Sequence, residues 1–465
     1  MIDSVPKYLK DDTPLAHKLV RIILFLTSFS WTFNKIQDYM SESTPIEKIA
    51  TRMIPMFIVA VYCVTCSNKH LLKRMFRPGM IPLLWYVLWG VMGGMTSTQP
   101  ALCIWKGAEI LITMMWVTVS CSDVESTKRE LVCLGRYIEI LLWVTVALAV
   151  INPSLGTIPS MSFIPWLRGY FPLLNPNTIG FLSVMAMIRL LFFPAKYKPI
   201  RMMLVAGTLL CAQSRTSYAV MMVAFLIFVF DGLKTRNLPR VIGASFFSVL
   251  ALMLAMGWLE SILTVVLRGE SAEEIQTLSG RTDYWEFAFN HISWTGNGLA
   301  TGSRSLIFIG EETFKKGSVN MHNSFVEALI GAGYIGAIPF LASIVINIVR
   351  QLFSTLRKSD TAESMFGVCG VMFAARSMTS IVLAIFSCDF LMMLIFFNWV
   401  WCVRHESVEN KVKERPKPMV YQKTLNEQAM SRSLAIDLAA IKMEDAEDDN
   451  GENNRVQNDS QAEDS

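Results

Sequence analysis

The chain has 465 residues, 52% of them apolar and only 17% charged, with a formal net charge of +4. Its mean hydropathy is +0.40. A balance this apolar excludes an ordinary soluble globular domain and points to a polytopic helical membrane protein, in which spanning backbone must satisfy its own hydrogen bonds. The nine cysteines are scattered, mostly within apolar segments, so no disulfide framework is readable; the small net charge says little about partners, and no nucleic-acid partner is expected.

Residues 1–18 are polar and carry no small-residue cleavage site, so the apolar run 19–33 reads as a retained first span in place of a removed signal. About twelve spans are expected. They centre on 19–33, 53–67, 80–95, 101–121, 134–151, 178–194, 201–214, 216–231, 240–259, 324–349, 364–386 and 388–403, a membrane domain over 19–403. Cys63-Val-Thr-Cys66 lies inside the second run with no βαβ context and reads as helix packing. The seventh and eighth runs meet at Ser214-Arg215-Thr216, as a tight hairpin or a broken helix pair. Asn152-Pro153, Pro159, Pro165 and Pro172 forbid a long helix between the fifth and sixth runs.

Lysine and arginine set the orientation. With the N-terminus inside, the loops Lys69–Arg77, Lys128-Arg129, Lys196–Arg201, Lys234–Arg240 and Arg350–Lys358 all fall inside. The long loop 260–322 is then outside. The tail 404–465 is inside: Arg404, Lys411, Lys413, Arg415 and Lys417 suit anionic headgroups, and the acidic stretch Glu444–Ser465 is expected to be disordered.

Three positions carry candidate chemistry. Arg215 stands at the outer end of two apolar runs, flanked by the hydroxyls of Ser214 and Thr216. A charge at that depth is costly and functional by default, the alternative being an arginine that snorkels to lipid phosphates. Arg281 opens a helical pattern in which Trp285, Ala288, Phe289 and Ile292 recur on one face. Such a helix would lie along the membrane surface, with its N-terminal N–H groups and the guanidinium aimed at one anion. His322-Asn323 precedes the tenth run, and Ser324-x-x-Glu327 fits a capping box. The positive end of the helix dipole favours the neutral imidazole, the form that accepts a proton. Gly331-Ala-Gly333-Tyr-Ile-Gly336 satisfies GxGxxG without a preceding strand, so close helix packing is expected there. Glu273-Glu274 and Glu311-Glu312 have no histidine at ligand spacing, and no P-loop, HExxH or GxSxG is present.

Taken in order, Asn175-Pro-Asn177-x-x-Gly180, Ser214-Arg215, Gly280-Arg281-x-x-x-Trp285, Gly296-x-Gly298 and His322-Asn323 followed by Gly333-x-x-Gly336 resemble the O-antigen ligase and O-antigen polymerase family, over roughly residues 165–340. Thr295 stands where members often carry proline. The resemblance implies an all-α, GT-C-like membrane glycosyltransferase of the bacterial inner membrane, with short amphipathic helices in its large periplasmic loop. It implies a donor glycan linked to undecaprenyl diphosphate and a lipid or saccharide acceptor, with no cofactor and no metal. Carried over, the catalytic roles fall on Arg215 and Arg281 at the diphosphate and on His322 at the acceptor hydroxyl; Trp285, Asn323, Asn177 and Arg168 are expected to bind substrate. Ligase and polymerase share these motifs. The alternative is a twelve-span transporter or flippase of a lipid-linked or anionic substrate. Against it, the long loop falls outside, the sixth-to-seventh connection is short, and no half of the chain repeats the other.

Overall fold

The structure is a computed structural model of the whole chain. It describes residues 11–29, 46–66, 71–97, 99–158, 165–235, 281–303, 306, 321–357, 361–380, 382, 386–400, 428 and 430–433. The chain divides into a unit Met1–His405 and a separate unit Glu406–Ser465, in which the described residues are helical. The expected ninth run (240–259), Glu273-Glu274, Glu311-Glu312, the juxtamembrane basic stretch and the acidic end of the tail lie outside the described residues.

Helices stand at the other eleven apolar runs. With three others (α3, α7 and α11), the helices of the described residues are, in chain order, α1 (Leu15–Thr27), α2 (Ile46–Cys66), the short α3 (Leu71–Met75), α4 (Ile81–Gly94), α5 (Pro100–Ser120), α6 (Val124–Ile151), the single turn α7 (Pro153–Gly156), α8 (Pro176–Phe192), α9 (Lys198–Ala212), α10 (Arg215–Lys234), α11 (Arg281–Asn290), α12 (Ser324–Arg357), α13 (Thr361–Thr379) and α14 (Cys388–Asn398). Among the described residues, α5, α6, α10 and α12 are long and apolar enough to cross a membrane, and α2, α4, α8 and α14 contain shorter apolar helices. The chain is a mostly helical multi-pass membrane protein. Only 28% of the apolar window of α10 is buried, and Met222, Leu226 and Phe230 face outward. In water such a surface would be a liability; against lipid it is the solvated face.

The proline-rich connection before α8 departs from pure helix. It holds two small antiparallel ladders, β1 (Thr157–Ile158) with β2 (Trp166–Leu167) and β3 (Gly169–Tyr170) with β4 (Leu173–Leu174). The run expected at 364–386 is helical only to Thr379. Beyond it Ser324 Oγ donates to Ser380 O and accepts from Val382 N, each at 2.6 Å, which holds this segment against the start of α12.

Two ends of the bundle are distinguishable. At the basic end, Glu139 of α6 accepts from Arg189 at the foot of α8 (3.1 Å) and from Arg201 at the start of α9. Lys234 at the end of α10 donates to Thr355 O near the end of α12, and Ser364 at the start of α13 donates to Asp231. The opposite end gathers the N-termini of α8, α10 and α12 and the C-terminus of α13. Every candidate site residue with a described position lies there or in the segments attached to it.

The loop after α11 enters the bundle because α12 is broken. Gly333 has φ 65° and ψ −177°, outside helical geometry, so the helix interrupts its own ladder at that point. The released groups find partners in the loop: Asn297 N donates to Ile330 O (2.8 Å), Gly298 N donates to Gly331 O (2.9 Å), and Trp294 O accepts from Ile335 N (3.2 Å). Gly296 and Gly298 have φ of 82° and 100°. A Cβ on Gly296 would collide with Gly331 O, and one on Gly333 with the backbone of Trp294 and Gly296. On its other side the loop packs on α4, where Leu299 N donates to Gly90 O at 3.1 Å. The glycine triplet expected to allow close helix packing therefore receives a loop as well: Gly336 packs against Trp89 of α4, while Gly331 and Gly333 meet the loop backbone. A second defect lies one turn on. Pro339 has no N–H, so Ile335 O loses its helical donor; Trp85 Nε1 of α4 supplies one at 2.9 Å.

Candidate functional site

The first part of the site forms around the turn between α9 and α10. Gln213 adopts the left-handed conformation (φ 46°) and ends α9, and Ser214 is the N-cap residue of α10, so Arg215 is its first helical residue. Of the two arrangements open from sequence, the chain takes the tight hairpin, and Tyr218 OH closes it with a hydrogen bond to Leu210 O at 2.9 Å. Arg215 is half-buried. The start of α8 packs against this turn. Asn175 accepts from Thr178 N (2.7 Å) as an N-cap, and Pro176 takes the N1 position where its missing N–H costs nothing. A Cβ on Gly180 would sit 2.7 Å from Ser214 Cβ, so only glycine lets the two segments approach this closely. Asn177 lies half-buried in the first turn of α8. Arg168 follows β2, half-buried, with its N–H donated to Gly156 O (2.8 Å). Its neighbour Trp166 donates from Nε1 to Gln213 Oε1, which ties β2 to the Arg215 turn.

The second part forms at the start of α12. The sequence placed a capping box on Ser324 and Glu327; the structure shifts it. Asn323 is the capping side chain, its Oδ1 accepting from Phe325 N (2.9 Å) and Val326 N (3.3 Å). Glu327 reaches back to Met321 N at 2.8 Å. Ser324 is taken up by the Ser380–Val382 segment, and this competing pair of hydrogen bonds is why it does not cap. His322 sits between the pinned residues Met321 and Asn323 with φ 49°. A non-glycine residue in that region is held there by its surroundings, and such strain concentrates at functional sites.

The third part is α11. Trp285 Nε1 donates to Met321 O at 2.8 Å, joining this helix to the residue before His322. A small apolar cluster of Ala288, Leu306, Met321, Val326 and Ile330, with Trp285, Phe287 and Ile292 against it, fixes the attachment. The expected apolar face needs one correction. Phe289 is 49% exposed and does not belong to it, and Ile292 lies beyond the helix end. Burial against α12, and not a long amphipathic stripe, holds α11 in place. Arg281 is its first residue, four positions before Trp285; its side chain lies outside the described residues.

Between the first two parts stands a residue that the sequence reading passed over. Arg376, in the last turn of α13, lines a pocket with Thr216, Ser217, Phe181 and Met372. Its Nε donates to Asp389 Oδ2 of α14 at 3.0 Å, and its guanidinium carbon lies 5.0 Å from the Phe181 ring centre. One turn on, Ser380 meets Ser324 next to the His322 segment. The rule that singled out Arg215, a charge inside an apolar run, applies equally to Arg376 and Asp389 and could have found them. Among the described residues there is no group of three or more His, Cys, Asp or Glu that could hold a metal.

Hydrogen bonds thus tie the strand before Arg168 to the Arg215 turn, the segment after α13 to the start of α12, and α11 to the residue before His322. Residues 200–341 match the family described as O-antigen ligase. The match takes in Arg215, Arg281, Trp285, His322 and Asn323 and leaves Arg168 and Asn177 outside it. No similar protein was found among curated proteins. Over residues 200–341 this multi-pass membrane chain is thus similar to the O-antigen ligase family, in keeping with the resemblance of its motifs to the O-antigen ligase and polymerase family.

Proposed function

We propose that this chain transfers or polymerises glycan from an undecaprenyl-diphosphate-linked donor onto a lipid or saccharide acceptor. The work is done at the outer face of the bacterial inner membrane, by a GT-C-like bundle of about twelve spans. What supports the reading is the match of residues 200–341 to the O-antigen ligase family, which takes in both the Arg215 turn and the His322 segment with its left-handed backbone.

The chemistry follows from the residue types. The acceptor hydroxyl attacks the anomeric carbon, the glycosidic bond to the diphosphate breaks, and the hydroxyl proton passes to a base. Arg215 and Arg281 hold the diphosphate, whose negative charge grows as the bond breaks; fixed guanidinium groups stabilise it without reorganisation. His322, as neutral imidazole, takes the acceptor proton. Trp285 offers an indole face for sugar packing, and Asn323, with its oxygen committed to the helix cap, offers its amide N–H groups. Asn177 and Arg168 add polar groups for substrate binding. Transfer proceeds without a divalent ion, because the arginines supply the positive charge.

Purified protein, reconstituted with undecaprenyl-diphosphate-linked oligosaccharide and acceptor in excess chelator, tests this. Elongated or ligated product, with release of undecaprenyl diphosphate, is the expected outcome. Consumption of donor only when magnesium or manganese is restored would shift the role to acidic residues, and movement of intact donor across the bilayer without a new glycosidic bond would favour the flippase alternative.

A further inference from the structure

Met321, the residue before His322, is held from three directions. Its N–H donates to Glu327 Oε1 at 2.8 Å, its carbonyl accepts from Trp285 Nε1 at 2.8 Å, and its side chain is buried in the cluster with Ala288, Val326 and Ile330. On the far side of His322, Asn323 Oδ1 is committed to Phe325 N and Val326 N. These contacts maintain His322 at φ 49°, a backbone state that costs a residue with a Cβ about 1–3 kcal/mol. Freed from them, the residue would relax to negative φ, and the direction of the imidazole would turn with the backbone. Glu327 is the unexpected member of this set. It is 3% exposed inside a membrane bundle, where a carboxylate is costly and a neutral glutamine could accept the same hydrogen bond. What the carboxylate adds is strength: a charge-assisted bond is roughly twice as strong as a neutral one, and a strained turn needs a strong restraint.

We propose that Glu327 is a positioning residue for His322. Acting through Met321, with Trp285 as the opposite anchor, it keeps the His322 backbone in its left-handed state and so aims the imidazole at the acceptor hydroxyl. The proposal rests on the reading of His322 as the base of a glycan transferase. Glu327 itself takes no proton and touches no substrate. Trp285 belongs to the helix that Arg281 opens, so the same residue, Met321, ties that helix to the base.

The test uses the full-length protein, reconstituted with undecaprenyl-diphosphate-linked oligosaccharide and acceptor, and measures turnover, donor affinity and thermal unfolding. Wild type, Glu327→Gln, Glu327→Ala, and each of these changes in a His322→Ala background are compared. Glu327→Ala removes the acceptor of the Met321 N–H and should lose about 10–100-fold in turnover, the scale of a small misplacement of a reacting group, with donor affinity unchanged. Glu327→Gln keeps a neutral acceptor and should lose about two- to tenfold. In the His322→Ala background neither change should lower turnover further, because the effect runs through the imidazole. A helix cap alone would lower the unfolding temperature and leave the turnover of the folded protein intact. Wild-type turnover in folded Glu327→Ala and Glu327→Gln therefore overturns the proposal; should Glu327→Ala not fold, Glu327→Gln decides alone. A loss of the same size with and without His322 also overturns it, as does a loss in Glu327→Gln as deep as that in Glu327→Ala, which would make the carboxylate a chemical participant. Wild-type protein that forms no product overturns the transferase reading itself, and this proposal with it; an active wild type with an impaired His322→Ala leaves that reading standing whatever the Glu327 variants do.

Discussion

Replacing Gly333 with alanine should release the loop that follows α11 from the bundle. Gly333 occupies φ 65°, ψ −177°, a region that residues with a Cβ enter at a cost of about 1–3 kcal/mol. The added methyl would also collide with Trp294 O and Gly296 N. Relieving that collision separates the loop from α12 and breaks three backbone hydrogen bonds, Asn297–Ile330, Gly298–Gly331 and Trp294–Ile335. At roughly 0.5–1.5 kcal/mol each, and with the backbone strain, the total is on the order of 3–7 kcal/mol. That is a large fraction of the stability of a typical domain. The assay is thermal unfolding in detergent together with amide hydrogen exchange at Asn297, Gly298 and Ile335. Gly331→Ala serves as the control, because a Cβ there meets its nearest atom, Gly298 O, at an ordinary 3.5 Å. The expected result is a clear loss of unfolding temperature and rapid exchange at the three amides for Gly333→Ala, with near-native behaviour for Gly331→Ala. Native exchange protection in Gly333→Ala would refute the reasoning, since the break in α12 would then not depend on glycine.

Two further outcomes follow from the same structure. Trp85→Phe leaves the Ile335 carbonyl, already deprived of a helical donor by Pro339, without its 2.9 Å partner; in a membrane no water replaces it, so a destabilisation of roughly 1–3 kcal/mol is expected by thermal unfolding. Cysteine placed at the exposed His291, on an otherwise cysteine-free chain, should react with an impermeant maleimide added from outside the cell membrane; reaction only after permeabilisation would reverse the orientation and remove the outer-face site.

The sequence made the helices legible because lipid imposes a simple rule: an apolar run long enough to span must be helical. Charge placement then separated the two ends of the bundle, and the same reasoning located the Arg215 turn and the start of α12. The misses share a different cause. The shift of the cap from Ser324 to Asn323 follows from Ser380 and Val382, which lie more than fifty residues away in sequence. The break at Gly333 is stable only because the Trp294–Gly298 loop is present to accept it, and a GxGxxG pattern does not announce such a partner. Arg376 and Asp389 were visible as charges in apolar runs, but their pairing, and the place of Arg376 against Phe181, Thr216 and Ser217, emerge only when α8, α10, α13 and α14 pack together. Side-chain chemistry could be read locally; its assembly into one site depends on long-range contacts.

The central claim, that the arginines hold the donor diphosphate while His322 moves the acceptor proton, is tested most directly by measuring donor affinity beside turnover for Arg215→Lys, Arg281→Lys and His322→Ala. Each arginine variant should lose donor affinity and roughly 10²–10³ in turnover, because lysine keeps the charge but not the planar fork. His322→Ala should lose roughly 10²–10⁴ in turnover with donor affinity unchanged. Full turnover in both arginine variants, with donor binding abolished in His322→Ala, would contradict the account.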